Sequence, residues 1–234
     1  ASIFVNPLQF GPNEDYDKYP RALETDAQVA TDAGVDIIFA PSVDEMYPEG
    51  EPLIRISSGE LGNKFEGIPR PGHFDGVLTV VNKLFNIVRP AAGSHEVNAY
   101  FGQKDAQQVL LVQRMIHDFN HDITLRPVAI VRDDDGLALS SRNEFLSEQE
   151  REAALVISRT LALMRENSLN RGFESIDLES ARDRINSTEG VRLDYLELVD
   201  PSNFQPPTAD SERVLALVAA YVGSTRLIDN MDLL

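Results

Sequence analysis

Cysteine is absent from the 234 residues of this chain. Without thiols the protein can form neither disulfides nor thiolate metal sites, which is consistent with a reducing cytoplasm. The chain also lacks any run of about 18 or more apolar residues, and no basic N-terminal segment precedes an apolar core. We therefore expect a soluble, cytoplasmic protein with no membrane span and no signal peptide.

Basic residues are scarce. Lys and Arg number 21 against 38 Asp and Glu, which gives a formal net charge of −17. This charge repels a polyphosphate backbone at long range and argues against nucleic acid as a partner. A small anionic substrate stays compatible with it, provided that a few cations cluster locally. The candidates for such a cluster are Arg70, Lys104, Arg132 and Arg142.

Four common catalytic motifs are also missing. The sequence contains no Gly-x-x-x-x-Gly-Lys-Ser/Thr loop, no Gly-x-Gly-x-x-Gly, no His-Glu-x-x-His and no Gly-x-Ser-x-Gly. The P-loop, dinucleotide-binding, zinc-protease and serine-hydrolase classes therefore have no support.

The first part of the chain alternates β-favouring runs with helical patterns. Apolar runs at 2–5 and 35–39 flank a helical pattern at 22–33 that Gly34 ends. The alternation continues with predicted helices at 75–88 and 105–119 and predicted strands near 100–101 and at 123–131. It favours an α/β fold, with a mostly parallel, doubly wound, Rossmann-like sheet in residues 1–130.

The pattern changes after residue 130. Ser147 and Glu150 have capping-box spacing and open a helix that runs to about Asn167. A second predicted helix at 178–185 precedes strand-like runs at 191–199 and 213–222. Helices followed by strands, without alternation, predict a second, smaller α+β domain at residues 131–234.

Ser140, Ser141 and Arg142 follow a turn at Gly136 and suit an oligophosphate. Two hydroxyls supply neutral donors, and a guanidinium supplies charged ones. Taken alone, the stretch is more typical of a solvated turn with a surface arginine, because Ser, Asn and Gly are ordinary loop residues. Its place at the predicted hinge between two domains favours a ligand site.

Residues 101–108 begin at a strand end and enter a helix. Gly102 allows close backbone approach, and Lys104 adds a full charge to the partial positive charge of the helix N-terminus. The alternative is a helix cap at Asp105 beside a solvated lysine. Asn6 and Gln9 form a similar strand-end loop whose amides bind either a ligand or nearby backbone. In the Arg70–Phe74 segment, a lone histidine is more often structural than catalytic.

Five segments occur in a fixed order along the chain: Ser2–Phe10, Tyr19–Arg21, Arg70–Phe74, Phe101–Asp105 and Leu139–Asn143. Together they resemble the pantothenate synthetase, or pantoate–β-alanine ligase, family, and the likeness extends to Asp194–Leu198. This resemblance implies a nucleotidyltransferase-type Rossmann domain, a smaller C-terminal lid and a homodimer. It also implies that pantoate and ATP form pantoyl adenylate and pyrophosphate, after which β-alanine yields pantothenate and AMP.

The resemblance also implies roles for individual residues. Lys104, Ser140, Ser141 and Arg142 match catalytic positions that neutralise phosphate charge. The implied ATP contacts are Gly102, Lys104, Asp105, Val131, Leu139, Ser140, Ser141 and Arg142. Gln9 and Gln108 are the implied pantoate ligands, and Asn6 is the candidate contact for β-alanine. Mg²⁺ is the expected metal, with Asp26 as the candidate ligand.

One family feature has no match. Family members carry a Met-Gly-x-Leu-His-x-Gly-His type segment whose histidines contact ATP phosphates, whereas His73, His95, His117 and His121 lie in other contexts. We expect this segment to precede Ala1 and the isolated 234-residue chain to be inactive. The alternatives are a catalytically silent ligand-binding remnant and another nucleotidyltransferase of the same fold.

Overall fold

The computed structural model describes residues 1–12, 14, 16–19, 21–90 and 96–234. Pro20, within the Tyr19–Arg21 segment, and His95 lie outside the described residues. The chain divides into two compact units, here called unit 1 and unit 2. Unit 1 contains Ala1–Ala99 and Leu111–Leu125, and unit 2 contains Tyr100–Leu110 and Arg126–Leu234. The domain boundary between residues 130 and 131 stays a prediction.

Six α-helices form within the described part of the chain. They are α1 (Leu23–Asp32), α2 (Val43–Met46), α3 (His73–Val88), α4 (Ala106–Asp118), α5 (Glu148–Arg171) and α6 (Leu178–Asn186). All five predicted helices are confirmed, and only the one-turn helix α2 was not predicted. The predicted capping box at the start of α5 is present, with Ser147 and Glu150 each bonding the other's backbone N–H. In the described ranges, no helix has the length and apolar character needed to cross a bilayer.

Five strands form in the same described ranges. They are β1 (Asn98–Gly102), β2 (Thr124–Val128), β3 (Val191–Val199), β4 (Leu215–Val222) and β5 (Thr225–Asp232). β1 and β2 make a parallel two-stranded sheet, which together with the helices confirms the α/β class. The runs predicted as strands at 2–5 and 35–39 meet only in one parallel bridge, between Ser2 and Phe39. Since Ile37 is 77% exposed, the second run is not covered as a buried strand would be.

Unit 2 contains an antiparallel sheet in the order β3-β4-β5. Val199 pairs with Leu215, and Leu215 pairs in turn with Asp232, so β4 is the central strand. Its residues are almost all buried because α5 and α6 supply apolar side chains to the same core as the sheet, including Leu155, Leu161 and Ile185. The predicted α+β character of the second lobe is confirmed.

The strand β5 was not predicted. It follows β4 through a two-residue turn at Gly223 and Ser224, and Gly223 has a φ of +56°. The sequence of β5 does not alternate between buried apolar and exposed polar residues, because Asp229 and Asn230 are consecutive, polar and both buried. The glycine turn was the available signal, since a short glycine-containing connection between two β-favouring runs is typical of a hairpin.

Candidate active site

A short hairpin at residues 131–139 leads into the Ser-Ser-Arg stretch. The N–H of Leu139 donates to the carbonyl of Val131 at 2.9 Å, and Arg132 bridges Ala138 in antiparallel fashion. The chain reverses at Gly136, whose φ of +95° lies in the region that favours glycine. This hairpin fixes the point at which residue 140 begins.

Arg151 of α5 holds the tip of this hairpin. Its Nη2 donates to Asp133 Oδ2 at 2.6 Å and to Asp135 Oδ2 at 2.8 Å. A hydrogen bond from the N–H of Leu137 and the nearby Arg151 lower the pKa of Asp135 below its usual value. The hairpin is thus attached to α5 by a carboxylate–guanidinium–carboxylate bridge.

Ser140 opens a 3₁₀ turn over Ser141–Phe145. Its Oγ accepts a hydrogen bond from the N–H of Arg142 at 3.3 Å, while Asn143 Nδ2 donates to the carbonyl of Ala138 at 3.0 Å. The hydroxyl hydrogen of Ser140 and the exposed hydroxyl of Ser141 have no acceptor among the residues that the structure describes. Two adjacent hydroxyl donors are therefore available to a ligand.

The turn that carries Lys104 lies between β1 and α4. Residues Gln103–Asp105 form one 3₁₀ turn directly after Gly102, where an added Cβ would meet no atom within 4 Å. Lys104 is half-buried, and its ammonium has no hydrogen bond or ion pair within the described ranges. Open space beside a glycine and an uncommitted cation fit an anionic ligand.

Lys104 and Ser140, which are 36 positions apart in the sequence, line one small, narrow pocket in unit 2. The pocket is otherwise lined by Leu137, Ala138, Asn143, Ile157, Ser158, Leu227, Ile228 and Asp229. The structure thus brings the glycine–lysine turn and the serine stretch together, as a shared phosphate site requires.

Arg132, a candidate for the cation cluster, is committed elsewhere. Its Nη1 donates to Asp229 Oδ2 at 2.7 Å and its Nη2 to Asp229 Oδ1 at 2.9 Å. The Asp229 side chain is only 4% exposed, so this is a buried, bidentate ion pair. Arg132 also donates to the carbonyl of Gly136 at 3.2 Å. Its charge is neutralised, so the prediction of Arg132 as a phosphate cation is corrected to a structural role.

Asp229 and Asn230 of β5 were missed by sequence reasoning. Asn230 Nδ2 donates to the carbonyls of Gln103 and Lys104 at 2.8 and 2.9 Å. These two side chains therefore contact both segments of the candidate phosphate site. Two consecutive polar residues inside a strand-forming run were the only local signal.

In unit 1, Asn6 is buried and makes four hydrogen bonds. Its Nδ2 donates to Gln9 Oε1 at 3.2 Å and to the carbonyl of Gly76 at 3.1 Å. Its Oδ1 accepts from the hydroxyl of Tyr47 at 2.8 Å and from the N–H of Leu8 at 3.3 Å. Burial raises the pKa of Tyr47 to about 12, so this hydroxyl stays a donor. The predicted contact of Asn6 with β-alanine stays a prediction, while its structural role is to orient the amide of Gln9.

The loop after Asn6 packs tightly against α3 at Gly76. A Cβ on Gly76 would lie 2.2 Å from the carbonyl oxygen of Leu8 and 2.8 Å from the nitrogen of Gln9. Any side chain there would push the loop away, because such distances are far below van der Waals contact. The position of Gln9 thus depends on a glycine in the first turns of α3.

Arg70 and His73 hold the same loop from a second side. Arg70 Nε donates to Glu14 Oε2 at 3.0 Å, and its Nη1 donates to His73 Nε2 at 3.0 Å. In the tautomer with hydrogen on Nδ1, His73 donates in turn to the carbonyl of Gln9 at 2.8 Å. Burial alone would raise the pKa of Glu14, but the hydrogen bond and charge of Arg70 lower it overall. Arg70 is therefore a structural cation, and His73 is the structural hydrogen-bonder that the sequence favoured.

The remaining candidate residues either have side-chain polar groups without a hydrogen-bond partner among the described residues or are exposed to solvent. The amides of Gln108 and the Nε2 group of Gln9 have no partner within the described ranges, nor does the carboxylate of Asp105. Val131 and Leu139 are paired by backbone and are 60% and 47% exposed. Asp26 lies exposed on α1. Among the described residues, no three His, Asp or Glu side chains are grouped to hold a metal ion.

Known proteins similar to this chain over its whole length share one family. The family model described as Pantoate-beta-alanine ligase matches residues 1–232. Pantothenate synthetase of Paenarthrobacter aurescens is 50% identical over 244 residues, which cover 100% of this chain and 82% of the relative. The Corynebacterium glutamicum pantothenate synthetase is 50% identical over 240 residues, with 100% and 83% covered.

Solved structures give the same result. A pantothenate synthetase from Thermus thermophilus has a TM-score of 0.90 and 44% identity, with 99% of this chain and 82% of that chain covered. A pantoate-beta-alanine ligase from Francisella tularensis, complexed with Beta-gamma ATP and Beta-alanine, has a TM-score of 0.76 and 38% identity, with 98% and 77% covered. The chain therefore belongs to the pantoate–β-alanine ligase family.

Proposed function

We propose that this enzyme condenses pantoate with β-alanine to give pantothenate, at the expense of ATP. In the first step a carboxylate oxygen of pantoate attacks the α-phosphorus, the bond to the β-phosphate breaks, and pyrophosphate leaves. In the second step the amine of β-alanine attacks the acyl carbon of pantoyl adenylate, AMP leaves, and the amine loses a proton. No protein nucleophile takes part, so positioning and charge stabilisation carry the catalysis.

The observation that carries this proposal is the joint lining of one pocket by Lys104 and Ser140. The Lys104 ammonium and the Ser140 hydroxyl, which has donor capacity left, suit phosphate oxygens, and Ser141 and Arg142 follow Ser140 directly in the sequence. Lys104, Ser140, Ser141 and Arg142 therefore neutralise the charge that builds on the phosphates in the transition state.

The rest of the ATP site consists of neutral and acidic groups. Gly102 lets a ligand approach the backbone, and Asp105 follows at the start of α4. Val131 and Leu139 present exposed apolar surface next to each other, which suits the face of an adenine ring.

Pantoate is assigned to Gln9 and Gln108, because a neutral amide donates to a carboxylate or hydroxyl without adding charge. Asn6 accounts for part of this role, since its bond to Gln9 Oε1 leaves the Gln9 Nε2 group to donate. A contact between Asn6 and β-alanine remains a secondary part of the proposal.

Mg²⁺ is proposed as the metal that accompanies ATP. Magnesium in phosphate sites is held mainly by phosphate oxygens and water, with one or two carboxylates, so a dedicated protein cage is not required. The described residues fit this mode, because they offer single carboxylates such as Asp26 and Asp105 rather than a cluster. When bound, the metal supplies additional positive charge to the phosphates.

The direct test uses the protein expressed from its complete gene. Pantothenate and AMP should appear in equal amounts only when ATP, pantoate and β-alanine are all present, and chelation of divalent cations should stop turnover until Mg²⁺ is restored. AMP without pantothenate would contradict the proposal. Pyrophosphate release with the nucleotide kept on the product would indicate another nucleotidyltransferase, and ligand binding without turnover would indicate a silent remnant.

We also propose that the enzyme acts in the cytoplasm as a homodimer. Light scattering on the purified protein should give twice the mass of one chain. A mass equal to one chain at micromolar concentration would contradict this.

A further inference from the structure

The side chain of Asn230 connects β5 to the turn that carries Lys104. One nitrogen atom, Nδ2, donates to the carbonyl of Gln103 at 2.8 Å and to the carbonyl of Lys104 at 2.9 Å. An amide NH₂ group has two hydrogens, so both are committed to this turn. Asn230 thus holds two successive peptide groups on either side of the Lys104 Cα.

The Asn230 side chain that donates these bonds is buried. Asn230 is only 5% exposed. It lies on β5, which pairs with the central strand β4 at eight positions. A buried amide cannot exchange its carbonyl partners for water without a free-energy cost. The turn is therefore anchored to a rigid element rather than held only by the end of β1.

The neighbouring residue, Asp229, extends the anchor to the second half of the site. Its Oδ1 accepts from the N–H of Asn230 at 2.8 Å, and its carboxylate pairs with Arg132. Arg132 in turn donates to the carbonyl of Gly136, just before the serine stretch. One dipeptide of β5 is thus bonded to both segments that line the pocket.

We propose that Asn230 is a positioning residue that fixes the backbone of the 103–105 turn so that Lys104 extends into the pocket shared with Ser140. This inference rests on the proposed phosphate-binding role of Lys104. A cation held in place before the reaction needs no reorganisation in the transition state, and a displacement of about 1 Å can cost on the order of 10²-fold in rate. Asn230 itself does not touch substrate in this account.

A double-mutant cycle tests the proposal. Asn230→Ala, Lys104→Ala and the double variant are prepared in the protein expressed from its complete gene, and single-turnover pyrophosphate release is measured with saturating pantoate. Asn230→Ala should slow release by about tenfold or more in the parent, but by less than about twofold when Lys104 is already alanine. The KM for pantoate should stay unchanged, because Gln9 is not bonded to this turn.

Asn186→Ala is the matched control. Asn186 also bonds a backbone group, since its Oδ1 accepts from the N–H of Leu193 at 2.9 Å, but it lies on α6 and does not bond the turn. The Asn186→Ala variant should release pyrophosphate at the parental rate. Asn230→Ser keeps a hydroxyl donor and should retain more of the rate than Asn230→Ala. It replaces the alanine variant in the cycle if circular dichroism shows that the latter is unfolded.

Each outcome has one meaning. An Asn230 effect of equal size in both backgrounds would show a merely structural role and overturn the inference, as would a parental rate in Asn230→Ala. A parental rate in Lys104→Ala would instead overturn the proposed role of Lys104, which is a different failure.

Discussion

The two polar regions of the molecule differ in how their cations are used. In unit 1, Arg70 is bonded to Glu14 and His73, and the neutral Nε2 group of Gln9 has no partner among the described residues. In unit 2, Arg132 is paired with buried Asp229, whereas the Lys104 ammonium has no partner within the described ranges. In both regions an arginine thus holds the backbone, but the polar group with bonding capacity left is a neutral amide in unit 1 and a cation in unit 2.

This difference shows that a positive charge in a site-forming segment does not by itself identify a phosphate ligand. The guanidinium group has a planar fork that matches a carboxylate, so a buried arginine is well suited to a structural ion pair. The ammonium of lysine is a compact charge on a flexible chain and can follow an anionic substrate. Of the four candidate cations, Arg70 and Arg132 are structural, and the Lys104 ammonium is the one proposed for the phosphates because it has no partner among the described residues.

The largest expected effect on stability is that of Arg132→Ala. Removal of the guanidinium leaves the Asp229 carboxylate buried and unpaired, which should lower the free energy of unfolding by about 3–5 kcal/mol. Arg213→Ala is the control, since Arg213 also pairs with an aspartate of β5, Asp232, but its side chain is 54% exposed. It should cost about 0–1 kcal/mol. Equal losses in denaturant titrations of the two variants would remove the distinction between structural and surface arginines.

A smaller effect is expected for Gln9→Ala. The variant loses one neutral hydrogen bond to pantoate, so calorimetry should show pantoate binding weakened by about 0.5–1.5 kcal/mol and ATP binding unchanged. Gln28→Ala removes an exposed glutamine of α1 and should leave both affinities at the parental value. A loss confined to ATP would contradict the assignment of the unit 1 loop to pantoate.

The smallest expected effect is a change in how the free energy of unfolding depends on pH when the hairpin at residues 131–139 loses a carboxylate. The Leu137 N–H and Arg151 lower the pKa of Asp135 below its ordinary value of 3.8. The ionised carboxylate therefore stabilises the fold at pH values above 3.8, and this contribution is lost as the pH falls through the lowered pKa. Asp135→Asn should therefore make the free energy of unfolding less dependent on pH between about 5 and 2. Asp210→Asn, in an exposed loop, should keep the parental slope. Identical slopes for parent and Asp135→Asn would show that this bridge does not stabilise the hairpin.

Much of the fold could be predicted from local sequence. Periodicity and end signals located the helices because those signals act within one or two turns, as in the capping box of Ser147 and Glu150. β5 escaped because its buried Asp229 and Asn230 break the alternation. Those residues are buried only because distant segments supply their partners.

The site was predictable in part for the same reason. Motifs placed Lys104 just after a strand end and Ser140 just after a glycine turn, where backbone and side-chain donors are open to a ligand. The bonds that fix them join residues far apart in the sequence, with 97 positions between Arg132 and Asp229 and 127 between Gln103 and Asn230. No local pattern encodes such pairs. The sequence around Arg132 therefore suggested a phosphate-binding cation, whereas the structure pairs Arg132 with Asp229.

Lys104 is proposed to act on the phosphates while the neighbouring arginines hold the backbone. The most direct measurement is the single-turnover rate of pyrophosphate release in Lys104→Ala, expressed from the complete gene, together with its free energy of unfolding. The rate should fall by about 10²–10³-fold, equivalent to roughly 2.7–4 kcal/mol, with unchanged stability. A parental rate would contradict the proposed role of Lys104.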